Sequence, residues 1–141
     1  MTQWVYDDGG RSLAGFKGEA RDCFCRAVAI ATGTDYQTVY DNINKTAKGE
    51  RPKGKKKRSS ARNGVHRYTS DRVMQAMGWK WVATNTIGQR DKIHLCAEEL
   101  PGGRLIVRVS RHWVAVVDGV ILDTHDPSRG GKRLVYGYWK G

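Results

Sequence analysis

The dipeptide Asp118-Gly119 stands between two apolar runs, HWVAVV and VILD, and it constrains this chain more than any other local feature. A two-residue type I′ turn needs positive φ at both central positions, which Asp-Gly tolerates and most pairs do not. The turn predicts a hairpin with Val117 opposite Val120, Val116 opposite Ile121, Val114 opposite Asp123 and His112 opposite His125. Side chains alternate along a strand, so His112, Val114, Val116, Ile121, Asp123 and His125 share one face. Arg111, Trp113, Thr124 and Asp126 share the other. His112 and Asp123 become diagonal neighbours, within reach of a hydrogen bond.

The segments LIVRV and RLVYGYW have the same β-branched and aromatic texture, broken by Gly, Pro, Asp and Ser, and read as further strands. Trp79 and Trp81 fall on another expected strand, and Tyr136, Tyr138 and Trp139 are expected to pack the sheet. Upstream the texture is helical. Phe24, Ala27, Val28 and Ala31 recur at spacings of three and four, with Gly33 as a stop, so a first helix begins at or beside Cys23. Thr34 and Gln37 stand in capping-box spacing and predict a second helix over 35–44. Ser70 is expected to cap a short helix through Val73, Met74 and Met77, and Asp91 another through Ile93, Leu95 and Cys96 to Leu100. Helices first and antiparallel strands last define an α+β chain.

Counting glycine with the apolar residues and leaving out tyrosine gives about 47%, enough for one packed domain over 1–141 and too much for a wholly disordered chain. No apolar run exceeds five residues, short of the roughly 20 of a membrane span or 7 of a signal-peptide core. The expectation is a soluble chain with no membrane partner. Three cysteines, Cys23, Cys25 and Cys96, form no disulfide framework and point to a reducing, cytoplasmic compartment with free thiols. No cofactor is expected, because the Gly-Gly pairs lack the spacing of a phosphate loop. No metal is expected either: Cys-x-Cys with His112 and His125 lacks the paired knuckles of a structural zinc site.

The formal charge is +11, and between Lys45 and Arg67 ten basic residues face one acid, Glu50. That balance of +9 leaves only +2 for the other 118 residues. The segment contains Lys53, Lys55, Lys56, Lys57 and Arg58 together with Gly and Pro, and reads as a mobile loop or insertion at 45–67. Such a run suits electrostatic contact with nucleic acid or an acidic protein, although no aromatic residue is interleaved to stack on bases.

A cysteine at a helix start is favoured as thiolate by the unpaired amides and dipole there, and Cys23 has that position. A histidine on a later strand, oriented by a neighbouring carboxylate, supplies the proton acceptor; His112 and Asp123 fit, with Asp126 as an alternative third member if a bulge shifts the strand. The blocks DCFCRAVAIATGTDYQTVYD and SRHWVAVVDGVILDTHD cover about 37 residues. Their order of Cys, His and Asp resembles the papain-like cysteine peptidase superfamily, in which a Cys-bearing helix packs on a later antiparallel sheet. More narrowly, Asp-Cys-x-x-Arg-Ala and His-x-x-Ala-Val-x-Asp-Gly are similar to motifs of small phage and bacterial proteins. The resemblance implies that Cys23 rather than Cys25 is the nucleophile, acting on a protein or peptide substrate, in host cytoplasm if the chain is phage-encoded. Asp22 and Arg26, four apart with the acid first, are expected to support the helix start. Lys17 stands where many papain-like enzymes carry an oxyanion-binding Gln. A catalytically inactive binding protein that uses the basic segment is the alternative expectation.

Overall fold

The computed structural model describes residues 2–51, 57–85, 88 and 92–141. Asp118 and Gly119 have φ angles of 48° and 79°, the left-handed pair that the hairpin turn demands. Val117 pairs with Val120, Val116 with Ile121 and Ala115 with Leu122. The ladder ends there, short of the outer pairs expected for Val114 and His112; Asp123 pairs with Tyr6 on its other side.

Among the described residues the elements run β1 (Trp4–Tyr6), α1 (Cys23–Thr32), α2 (Tyr36–Ala47), α3 (Arg67–Ala76), β2 (Lys80–Ala83), β3 (Arg104–Val109), β4 (His112–Val117), β5 (Val120–Asp123) and β6 (Gly137–Lys140). The strands form one sheet of order β1-β5-β4-β3-β6-β2. The α+β class holds, but the sheet is mixed, because β1 runs parallel to β5 while the other pairs are antiparallel. At three residues, β1 is too short for alternation to mark it in the sequence.

Phe24 and Val28 of α1, Ile43 of α2, and Val73 and Met74 of α3 pack against Ile106, Trp113, Ala115 and Trp139 of the sheet. The alternate strand positions, among them Leu105, Val107, Val114, Val116 and Ile121, gather with Leu95, Leu100 and Val135 in a second cluster. Strand alternation thus builds two cores. Phe24 and Val28 are 2% and 0% exposed, and each such burial contributes about 1.5–3 kcal/mol. That burial seats α1 on β4 and so fixes where its first residue lies.

Helix ends depart from the sequence reading in three places. α2 is capped by Asp35, whose carboxylate accepts from the Thr38 amide at 2.9 Å; the Thr34 hydroxyl bonds Thr32 instead. α3 begins at Arg67, so Ser70 lies inside the helix and donates to the Arg67 carbonyl. Asp91 lies outside the described residues, and 92–100 are turns rather than helix. Their backbone is spent on the chain beyond β5: the Leu95 amide donates to the Arg133 carbonyl, and the Val135 amide to the Ile93 carbonyl, both at 2.8 Å. The same bonds keep the first half of RLVYGYW out of the main sheet.

The basic segment, expected as a mobile loop or an insertion, is tied to the fold at its described ends. α2 continues through Lys45 to Ala47. The buried carboxylate of Glu50 accepts from the Ser59 amide at 2.7 Å and from the Thr69 hydroxyl. Burial would raise its pKa, but those hydrogen bonds outweigh burial and lower it. Ser60 and Gly64 pair, and the buried Ala61 donates its amide to Asn44 Oδ1 at 2.9 Å. The single acid among ten bases therefore acts as an anchor. No described helix is long and apolar enough to cross a membrane.

Candidate active site

Three element ends meet at one end of the sheet. Cys23 is the first residue of α1, His112 the first of β4 and Asp123 the last of β5. His112 Nε2 donates to Asp123 Oδ2 at 2.6 Å. His112 lies close enough to the Cys23 thiol to shift its pKa, and with Nε2 committed to Asp123 the nitrogen left for the sulfur is Nδ1. Asp123 is 3% exposed; its Oδ1 accepts from the Thr124 amide at 2.7 Å and lies 3.5 Å from Arg26 Nη2.

Arg26, one helical turn beyond Cys23, also ion-pairs Asp22. The expected Asp22–Arg26 contact forms, yet Asp22 makes no capping hydrogen bond. It is 2% exposed, accepts from the Tyr36 hydroxyl and lies 3.3 Å from Arg11 Nε. Arg26 thus bridges Asp22 and Asp123.

The three thiols differ sharply. Burial alone would raise the Cys23 pKa, but the hydrogen bond and charge of His112, the Trp113 amide and Arg26 outweigh it and lower it. Burial would depress His112, yet Asp123 and Cys23 together raise it to about 9. Burial likewise opposes ionisation of Asp123, and the bond to His112 reverses the effect and holds the carboxyl below its usual range. Cys25 is pushed up to about 12 by burial and then by the Asp22 charge. Cys96 is raised to about 11 by burial and then by its hydrogen bond to Glu99.

The remaining sequence candidates are not gathered here. Asp126 is exposed, and its Oδ1 accepts from the Ser128 amide at 3.0 Å, the geometry of a turn residue. Lys57 and Arg58 are exposed, while Lys53, Lys55 and Lys56 lie outside the described residues. Lys17 is exposed and uses its carbonyl to accept from Arg11. Cys25 points its thiol toward the Tyr36 carbonyl at 4.0 Å, so Cys-x-Cys does not present two ligands to one centre.

Ligand atoms of His112, Asp123 and His125 lie within 4.8 Å of one another, a grouping that could hold a metal. The cavity beside them, however, is lined by Arg111, Arg129 and Arg133, whose charge opposes a cation. A second cavity of about 560 Å³ has Trp81, Trp113 and Tyr136 as aromatic walls and Arg67, Arg108 and Asp71 as charged ones. Trp113 connects it to Cys23 through the backbone amide noted above. Arg108 lies with its guanidinium 5.0 Å from the Trp113 ring; burial lowers its pKa, and the Cys23 charge opposes that. The Trp81 wall depends on Gly137, where an added Cβ would come within 2.3 Å of the indole. Sequence reasoning assigned Trp113 to the core and Arg26 to helix support; both are so placed, and both also reach the site. One helical turn between Cys23 and Arg26 was the available signal for the second.

The chain matches no protein-family model, and no curated protein or solved structure matches it.

Proposed function

We propose that the chain is a cysteine hydrolase of papain-like organisation, with Cys23 as nucleophile, His112 as proton carrier and Asp123 as the group that orients it. The observation that carries this reading is the order of contacts, thiol to imidazole to carboxylate, at the one cysteine whose pKa is lowered.

The Cys23 thiolate attacks the carbonyl carbon of an amide or isopeptide, and the carbonyl π electrons move onto oxygen. The Cys23 amide lies in the first helical turn, where no helical carbonyl reaches it, and is available to bind that oxyanion. As the C–N bond breaks, protonated His112 gives its Nδ1 proton to the leaving amine and a thioester remains on Cys23. Neutral His112 then takes a proton from the acceptor, water or an amine, as that acceptor attacks the thioester; the acyl product leaves and the thiolate is restored. Asp123 keeps Nε2 protonated throughout, and Arg26 with Asp22 holds Asp123 in place.

The direction of the pKa shifts sets the pH window. The active form needs Cys23 ionised and His112 protonated, so turnover rises through the lowered thiol pKa and falls as pH passes about 9, where His112 loses its proton. Iodoacetamide alkylation followed by peptide mass spectrometry tests the pair without a substrate. Cys23 should react fastest in the wild type and lose that advantage in His112→Ala. Equal rates at Cys23 and Cys96 in the wild type would end the proposal.

A further inference from the structure

Beside His112 opens a cavity of about 390 Å³ lined by Ser110, Arg111, His112, His125, Arg129 and Arg133. Three arginines are among its lining residues and no acidic residue is. Like charges are rarely assembled without a counter-charge unless one is supplied from outside. The Arg133 guanidinium is already held in place, donating to the Ser110 and Pro127 carbonyls, and its Nε–H is buried without an acceptor among the described residues. Burial and then the nearby Arg129 charge lower the pKa of Arg133, and Tyr136 and Asp123 oppose that.

The backbone conformation places two of these arginines at turns. Among the described residues only three other than glycine have positive φ: Asp118 in the hairpin turn, Arg111 at 57° and Arg129 at 53°. A turn holds each of them: Asp118 in the β4–β5 hairpin, Arg111 in the two-residue link between the paired Val109 and His112, and Arg129 in the turn whose Ser128 carbonyl accepts from the Gly131 and Lys132 amides. Two such residues line one small cavity next to the proposed proton carrier.

We propose that this cavity is a substrate subsite for a carboxylate, so that the acyl group attacked by Cys23 belongs to an acidic peptide. The assignment rests on the hydrolase reading for its meaning, but its binding can be measured without turnover. A carboxylate accepts from two guanidinium donors at once, and such charge-assisted bonds are stronger than neutral ones. Asp123 does not compete for the site's anion role, because His112 and Arg26 already neutralise it.

The test uses the Cys23→Ala chain, which cannot consume peptide, and isothermal titration with three capped probes. These are an oligoglutamate with an amidated end, the matching oligoglutamine, and an oligoglycine with a free terminal carboxylate. The oligoglutamate or the free-carboxylate peptide should bind, and the oligoglutamine should not; which of the two binds identifies the carboxylate as side-chain or terminal. Arg111→Asn with Arg129→Asn should weaken that binding by about tenfold or more, and Asn tolerates the left-handed backbone that these positions require. Lys at both positions should retain most of it. Neutralising Lys55, Lys56 and Lys57 should leave the cavity's share intact. Binding that survives the two Asn substitutions, or vanishes only with the lysines, overturns the subsite. Cys23 alkylation in the double Asn chain otherwise retaining Cys23 keeps the questions separate: unchanged reactivity with lost binding supports the subsite, whereas a failed triad leaves the binding result standing.

Discussion

Two clusters in this molecule hold a cysteine, a histidine and a carboxylate in contact, and they do opposite things to the thiol. At the end of the sheet the order is Cys23, His112, Asp123, with the imidazole between thiol and acid. Under the second core the acid is in the middle: Glu99 accepts from the Cys96 thiol at 2.9 Å through one oxygen and lies 3.1 Å from His94 Nδ1 through the other. Burial disfavours ionisation of both thiols; beside Cys96 the Glu99 carboxylate adds to that and the pKa rises to about 11, whereas beside Cys23 the imidazole outweighs it and the pKa falls. Composition is the same in both clusters. The sequence of contacts gives the two thiol shifts opposite signs.

The comparison breaks most visibly in turnover. His112→Ala should lower the rate on an acidic peptide substrate by about 10²–10⁴-fold, the usual contribution of general acid–base chemistry, while His94→Ala should leave it unchanged. Steady-state kinetics on both variants checks this.

The next effect is in thiol reactivity. A lowered pKa at Cys23 against one raised to about 11 at Cys96 leaves a much larger thiolate fraction at Cys23 at neutral pH. The weaker nucleophilicity of the less basic thiolate takes back part of that, and Cys23 should still alkylate about tenfold faster or more. Quantitative peptide mapping of both sites in one sample measures the ratio.

Glu99→Gln sharpens the contrast from the other side. Removing the charge that suppresses Cys96 should lower its pKa and raise its alkylation rate several-fold, with burial keeping it slower than Cys23. No change in the pH profile of Cys96 labelling would show that burial alone sets its value.

The smallest effect is a linkage of stability to pH. His112 has a folded pKa of about 9 against an unfolded value near 6.5, so the stability it contributes is complete below the unfolded value and is lost as pH rises toward about 9. The melting-temperature advantage of the wild type over His112→Gln should therefore shrink across that interval. A constant difference would mean that the contact does not titrate in this range.

Legibility in the sequence followed the range of the interactions. The hairpin and its first pairs were readable because two adjacent residues, Asp118 and Gly119, control the turn. The start and stop of α1 were readable because an apolar stripe and Gly33 lie within one short window. The helix expected through Ile93 to Leu100 failed for the complementary reason, since its backbone bonds go to Arg133 and Val135 some forty residues away. The Glu50 anchor was hidden in the same way: charge counting sees a basic run, and only folding brings Ser59 and Thr69 to its carboxylate.

By itself the sequence determined the α+β class, the first pairs of the hairpin, the start of the first helix at Cys23 and the nearness of His112 to Asp123, because each depends on alternation, helical spacing or a local turn. The tertiary structure alone decided that Arg26 reaches Asp123, that Trp113 turns its amide to the thiol, and that three arginines line one cavity beside His112. Those contacts join residues distant in the chain, and their energies depend on burial and separation in space, which no local pattern encodes.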